Sequence, residues 1–345
     1  MRALLTKFIG FTLIWLPLTL PAPAQTSSDY LEGLAAFRAG DYAQAAELFR
    51  RADAAAPGRT DALLLAAKAF VHLEKHTDAD SSLRGYLVQH AESAEALYLL
   101  GYVLNRENRP ANSLEIYTKA AARQSPTGDD LKIVGLNYAL LNDYASAIHW
   151  LEKAVELDPK NHEAWYFLGR AYYTRGLLPE AKSAFQKVLQ LNPNDAKAEN
   201  NIGLILESEA RPTEAIEAYE QAISWQQKSA PSSEQPYLNL GRTLLDQERN
   251  EEAVPALEQA VKRAPGNPLC RLKLGTAYLR LSRLENARSE LQEAARLDPE
   301  NAAAHFQLGK LYKQMHAMAQ AQREFSRAEE IQSRAAAMAT PKPKQ

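Results

Sequence analysis

A stretch of 30 residues, AWYFLGRAYYTRGLLPEAKSAFQKVLQLNP at positions 164–193, decides the fold of this chain. Its first apolar and small residues follow the i, i+3, i+4, i+7 spacing of one helix face, at Trp165, Leu168, Gly169 and Tyr172. Gly169 lies inside that face, although glycine weakens a helix interior by about 1 kcal/mol relative to alanine. Glycine is used there when another part of the chain approaches too closely for a Cβ atom. The stretch therefore predicts a helix that a second segment crosses at Gly169.

Small residues recur at the position of Gly169 along the whole chain. The step is 34 residues, with one step of 38, and it gives Gly33, Ala67, Gly101, Gly135, Gly169, Gly203, Gly241, Gly275 and Gly309. A second small residue follows each of these by twelve positions: Ala45, Ala79, Ser113, Ala147, Ala181, Ala215, Ala253, Ala287 and Ala321. A fixed period of this length is the signature of a repeat architecture.

Each period predicts a pair of helices. Gly176 breaks the first helix, and a second apolar stripe follows at Ala181, Phe185 and Val188 before Pro193 ends it. The two small residues mark the predicted crossing of the helices, so that Gly169 is expected to make room for Ala181. One helical pair cannot bury both stripes alone, so neighbouring pairs are expected to stack and share a core.

The repeated pattern closely resembles the signature of the tetratricopeptide repeat, and the resemblance covers about nine tenths of the chain. The residues that carry it are Trp165, Leu168, Gly169, Tyr172, Ala181, Phe185 and Pro193. It implies an all-α, right-handed superhelical solenoid of about nine helix-turn-helix hairpins over residues 26–335. The implied repeats start near residues 26, 60, 94, 128, 162, 196, 234, 268 and 302. The first two repeats depart from the signature at Glu32, Ala67 and Tyr86, as terminal repeats often do.

The two ends and one insertion differ from the repeats. Residues 1–24 combine Arg2 and Lys7, a short apolar run and an Ala-x-Ala ending, which predicts a secretory signal peptide cleaved between Ala24 and Gln25. The mature protein is then expected to be periplasmic or secreted; an uncleaved inner-membrane anchor is the alternative. Residues 336–345 predict a disordered Pro/Lys tail. The segment 225–233 predicts a loop insertion, either at a working face or as a tolerated surface lengthening.

Composition and motifs give no indication of catalysis or of metal binding. The net charge of −2 gives no reason to expect nucleic acid as a partner, and the single Cys270 excludes an internal disulfide. His72 and His76 lie near two aspartates in the sequence. Two interpretations are open, a metal site or a solvated turn, and the turn is favoured. No nucleotide-binding, zinc-protease or hydrolase motif is present. The sequence therefore predicts no catalytic residue, no metal, no cofactor and no enzyme activity.

The resemblance also implies where a partner binds, because the first helices of such repeats line a concave groove. The groove positions of the family, carried onto this sequence, give Tyr98, Tyr102, Lys132, Tyr166, Arg170, Tyr173, Asn200, Asn201, Asn239, Arg242 and Lys273. Exposed Tyr and Arg are enriched at binding hot spots, and Asn201 and Asn239 are expected to bracket a peptide backbone. The implied ligand is an extended, somewhat acidic peptide. The carboxylate clamp of chaperone-binding members is incomplete here, because Leu204 and Leu269 occupy two of its positions.

The sequence thus predicts a non-catalytic interaction scaffold that binds a protein or peptide in its groove. An accessory component of a cell-envelope or polysaccharide-export assembly, acting through its convex face and ends, is the alternative. A repeat-bearing enzyme is a third. Membrane contact is expected only if the signal segment stays uncleaved. The sequence specifies neither the partner nor the oligomeric state.

Overall fold

The computed structural model describes residues 28–58, 61–226 and 233–339. The predicted signal peptide and most of the predicted insertion lie outside these residues. The chain forms two compact units, unit 1 at residues 1–126 and unit 2 at residues 127–345. In the described part of each unit every regular element is an α-helix, and the helices follow one another as nine pairs. The prediction of an all-α stack of about nine helical hairpins is confirmed.

Unit 1 contains three helical pairs. Their bounds are α1 Ser28–Arg38, α2 Tyr42–Ala55, α3 Ala62–His72, α4 His76–Gln89, α5 Ala94–Arg106 and α6 Pro110–Ala121. We call the first helix of each pair the A helix and the second the B helix. The core of unit 1 forms between consecutive helices around Phe49, Leu83 and Leu100.

Unit 2 contains the other six pairs. Their bounds are α7 Gly128–Leu140, α8 Tyr144–Leu157, α9 His162–Thr174, α10 Leu178–Leu191, α11 Ala196–Ser208, α12 Pro212–Gln226, α13 Gln235–Asp246, α14 Asn250–Arg263, α15 Pro268–Arg280, α16 Leu284–Leu297, α17 Ala302–Gln314 and α18 Met318–Ala339. Phe185, Tyr219, Leu257 and Leu291, one from each of four successive B helices, lie at the centre of its main core.

Every A helix ends in the same way. The residue that follows it by two positions has a positive φ angle, at Gly40, Glu74, Asn108, Asn142, Gly176, Ala210, Glu248, Ser282 and His316. The next backbone N–H then reaches back five residues, as where Leu177 N donates to Tyr172 O at 3.0 Å. This is the Schellman ending of a helix, which satisfies its last carbonyl groups and turns the chain. The break predicted at Gly176 is one of nine such turns in the described residues.

The close approach predicted at Gly169 is present, but its predicted partner is wrong. A Cβ on Gly169 would meet the ring of Phe185 at 3.0 Å, and Ala181 is not among its nearest neighbours. The backbones do cross near the second small residue, because Ser113 Oγ, at that repeat position, donates to Gly101 O at 2.6 Å. The glycine thus makes room for the large side chain one turn further along the B helix.

Two predicted boundaries differ from the helices. α12 continues to Gln226, two residues into the predicted insertion, and α18 continues to Ala339, so residues 336–339 of the predicted tail are helical. The run RAAAMA at residues 334–339 explains the second difference, since alanine is the strongest helix former. None of the helices in the described residues has both the length and the apolar character needed to cross a bilayer.

Candidate partner-binding site

The A helices of unit 2 form the inner side of its stack. Each one contacts the next, from α7 to α9 and onward to α17, whereas successive B helices make at most marginal contacts in the described residues. The polar side chains of the A helices therefore meet across neighbouring repeats. Tyr173 and Ser208 illustrate this, with their hydroxyl oxygens 3.4 Å apart on α9 and α11.

The predicted groove residues of unit 1 are partly engaged within the unit. The hydroxyl of Tyr98 donates to Gln124 O at 2.6 Å. Tyr102 is half-buried and packs against the core of unit 1. Both rings therefore take part in packing or in holding the chain after α6.

Lys132 is predicted to be a groove cation, but its charge is already paired. Its Nζ lies 2.8 Å from Asp129 Oδ1 and 2.8 Å from Glu163 Oε2, and its side chain is 12% exposed. Burial alone would lower the pKa of Lys132, yet its hydrogen bonds to Asp129 and Glu163 raise it. Two carboxylates thus already pair the charge of Lys132, and its role in partner binding stays a prediction.

Arg170 and Lys273 are different. Arg170 is exposed on α9, and neither it nor the half-buried Lys273 on α15 has an ion-pair partner among the described residues. Lys197, exposed at the start of α11, also has none there. These three cations remain available to a partner.

Asn200 and Asn239 form a buried pair. Asn239 Nδ2 donates to Asn200 Oδ1 at 2.9 Å, and the two residues are 6% and 8% exposed. Asn201 is half-buried and donates to Lys197 O at 2.7 Å, with Tyr166 Oη at 3.4 Å. The structure thus corrects the expected bracket, since Asn239 joins α13 to α11 and only Asn200 and Asn201 line open space.

That space is a hollow of about 220 Å³ at the N-terminal ends of α11 and α13, which we call the N-terminal hollow. It is lined by Tyr166, Ala196, Lys197, Asn200, Asn201, Gln226, Ser233, Gln235 and Pro236. At its edge the buried side chain of Gln226 holds Ser233 by two 3.0 Å hydrogen bonds, to its backbone N–H and C=O. The two ends of the insertion are therefore clasped beside the hollow.

A second hollow, of about 680 Å³, lies at the other ends of the same helices and is called the C-terminal hollow. It is lined by Tyr173, Glu207, Ser208, Ala210, Pro212, Arg242, Thr243, Asp246 and Gln247. Arg242 Nη2 and Thr243 Oγ1 both donate to the Glu207 carboxylate. The charge of Arg242 is therefore already paired by a neighbouring A helix, and its role in partner binding stays a prediction. Asp246 is exposed and has no ion-pair partner among the described residues.

Family models agree with the repeat geometry. Tetratricopeptide repeat models match residues 36–101, 138–203, 194–265, 238–302 and 272–337. The chain belongs to the tetratricopeptide repeat family. No curated protein matches its sequence significantly.

Solved structures share the tetratricopeptide fold. The APC/C hetero-tetramer Cut9–Hcn1 aligns at 16% identity over 83% of this chain and 56% of that chain, with a TM-score of 0.60. A tetratricopeptide repeat protein from Parabacteroides merdae aligns at 17% identity over 73% and 99%, with a TM-score of 0.56. The type IV pilus biogenesis factor PilW aligns at 21% identity over 61% and 92%, with a TM-score of 0.51. At these identities the similarity concerns the fold alone.

Tyr219, next to the C-terminal hollow, was not predicted from the sequence as a residue of interest. Tyr219 is fully buried, and its hydroxyl has no hydrogen-bond partner among the described residues. Burial, followed by the charge of Glu207, raises the pKa of Tyr219 far above its usual range. The charge of Arg242 lowers this pKa, and Tyr173 raises it slightly further. Its charged neighbours thus line the C-terminal hollow. The available signal was a tyrosine where most repeats have phenylalanine or leucine, as at Phe185.

The described residues offer little for covalent or metal chemistry. Cys270 is buried, and burial raises its pKa to about 11, which keeps the thiol protonated at neutral pH. In the described ranges no three His, Cys, Asp or Glu side chains are grouped so as to hold a metal ion. His72 stacks on Tyr42 with ring centroids 4.1 Å apart. The site is therefore a surface of charges, amides and rings suited to reversible contact.

Proposed function

We propose that the chain is a non-catalytic scaffold whose A-helix face in unit 2 binds an extended protein or peptide segment. The observation that carries the proposal is the row of cations Arg170, Lys197 and Lys273 on this face, none with an ion-pair partner among the described residues. Tyr166 lines the N-terminal hollow together with Lys197, and Tyr173 lines the C-terminal hollow. Accessible tyrosine and basic side chains on one face are the residue types enriched at binding hot spots.

Charge is sorted between the two faces in the last repeats. The A helices α15 and α17 contain no acidic residue, and they carry Lys273, Arg280, Lys310 and Lys313. The B helices α14 and α16 carry three glutamates and two basic residues each. The A helices of the last two repeats are thus basic, although the whole chain has a net charge of −2. Such a face favours approach of a segment that contains acidic residues.

The test uses the full chain and a display library of random peptides of about 12 residues, long enough to extend over about 40 Å. Peptides enriched on the wild type are synthesised, and their affinities are measured by fluorescence anisotropy. The variant Arg170→Glu/Lys273→Glu should weaken binding about tenfold or more, because two attractive contacts become repulsive. Arg242 is left unchanged, because its removal would leave the partly buried carboxylate of Glu207 without its ion-pair partner.

The matched control is Lys153→Glu/Lys262→Glu, which makes the same charge change on B helices α8 and α14. It should bind as the wild type does, and thermal unfolding should show both variants folded. Failure to enrich any peptide would overturn the proposal. So would an equal loss in both variants, and a loss confined to the control would instead favour an assembly that contacts the B-helix face.

We further propose that residues 1–24 direct export and are removed between Ala24 and Gln25, which places the scaffold in the periplasm or outside the cell. The charged start, short apolar run and Ala-x-Ala ending support this. N-terminal sequencing of the protein from its native cells should begin at Gln25. Recovery with Met1 in the membrane fraction would show an uncleaved anchor instead.

A further inference from the structure

The two hollows of unit 2 differ in charge. Among the described residues, Lys197 is the only charged side chain that lines the N-terminal hollow, and it has no ion-pair partner among them. The C-terminal hollow is lined by Glu207, Arg242 and Asp246. Because Arg242 is bound to Glu207, the charge left available there is the carboxylate of Asp246.

Helix dipoles add to this difference. The N-terminal hollow lies at the first residues of α11 and α13, where the carboxylate of Asp195 already accepts hydrogen bonds from the backbone N–H groups of Lys197 and Ala198, so the positive charge available there is that of the Lys197 side chain. The C-terminal hollow lies at the last turns of α9, α11 and α13, where the carbonyl groups carry partial negative charge. An anionic group is therefore favoured in the first hollow and a cationic group in the second. The ring of Tyr173 provides an additional face for a cation.

The N-terminal hollow also has a buried polar residue with an unused hydrogen-bond donor. Asn200 lines the N-terminal hollow; its Oδ1 accepts from Asn239, but its Nδ2 has no acceptor among the described residues. The hydroxyl of Tyr219 is buried next to Glu207 and Arg242 of the C-terminal hollow, but Tyr219 itself does not line that hollow. Buried polar groups without partners cost stability. A ligand that supplies the missing partners offsets that cost only when it is bound.

The two hollows lie a defined distance apart. Lys197 and Glu207 are ten residues apart on α11, which is about 15 Å along the helix axis. An extended peptide covers that distance in about five residues. We propose that the bound segment carries one acidic side chain, placed in the N-terminal hollow, and one basic side chain about five residues away, placed in the C-terminal hollow. This inference rests on the proposed function, since it specifies the ligand of the same face.

The experiment exchanges the two free charges in the full chain with Lys197→Glu/Asp246→Lys, which leaves the net charge unchanged. The control Glu217→Lys/Lys262→Glu makes the same exchange between exposed residues of B helices α12 and α14. The probes are a peptide enriched on the wild type and its counterpart with the acidic and basic residues interchanged. Fluorescence anisotropy should show the wild type and the control preferring the first peptide by about tenfold. The exchange variant should prefer the second.

The outcomes separate the two proposals. Enriched peptides without an acidic and a basic residue at this spacing would overturn the inference. An unchanged preference in the exchange variant would do so too. The proposed function would survive either result, provided that Arg170→Glu/Lys273→Glu still weakens binding about tenfold or more. If no peptide is enriched, or if that variant binds all peptides normally, both proposals fail.

Discussion

The ring of Tyr219 lies directly under Gly203, and a Cβ at Gly203 would be 2.4 Å from Cε1 and 2.9 Å from Cζ of that ring. No side chain fits between them, so α11 and α12 can approach only because residue 203 is a glycine. The same approach carries the Tyr219 hydroxyl past α11 to Glu207 and Arg242 on the inner face. A small residue that the repeat requires for packing therefore also places the Tyr219 hydroxyl next to two residues of the C-terminal hollow.

Gly203→Ala should lower the free energy of unfolding by about 2 kcal/mol, because the added methyl overlaps a ring that is fully buried and cannot move aside. The measurement is equilibrium urea unfolding. Gly266→Ala is the control, since a Cβ there meets nothing within 4 Å. Equal stability of the two variants would show that α11 and α12 are not packed as described.

The fold was predictable because it rests on local and periodic signals. The spacing of Gly169 and its equivalents gave the helical pairs, and Gly176 gave the turn. The residue admitted by Gly169 was not predictable in the same way. Helix crossing suggested Ala181, the next small residue, whereas the structure places the ring of Phe185 against the glycine. Which side chain fills the space depends on helix rotation, which a period does not specify.

Tyr219→Phe should raise stability while it weakens ligand binding. The substitution keeps the buried ring and removes a hydroxyl without a partner, which should increase the free energy of unfolding by about 1 kcal/mol. If the ligand pairs that hydroxyl, anisotropy should show a loss of affinity for enriched peptides. Loss of stability would mean that the hydroxyl is already satisfied in the free protein. Higher stability with unchanged affinity would show that the Tyr219 hydroxyl does not take part in ligand binding.

The site was only partly predictable because pairing crosses repeats. Family positions correctly indicated which residues lie on the A helices, including Arg170 and Arg242. They did not indicate that Arg242 is paired with Glu207 or Lys132 with Glu163, each one repeat away, while Arg170 has no ion-pair partner in the part of the chain that the structure describes. Such pairs depend on the offset between neighbouring A helices. That offset is a property of the stacked units and not of one repeat.

Glu199→Gln should stabilise the protein at neutral pH and lose that advantage in acid. Glu199 is half-buried on α11, and burial raises the pKa of its carboxyl above the ordinary value. The folded state therefore binds this proton more tightly than the unfolded state does. Stability from this group is full below the unfolded pKa of about 4.3 and falls as pH rises through the raised folded pKa. Glutamine is uncharged and has no cost of charge burial. Urea unfolding should therefore show the difference in the free energy of unfolding between the variant and the wild type growing from about pH 4 to about pH 7. A gain that is constant over this range would mean that Glu199 is as well solvated in the folded protein as in the unfolded chain.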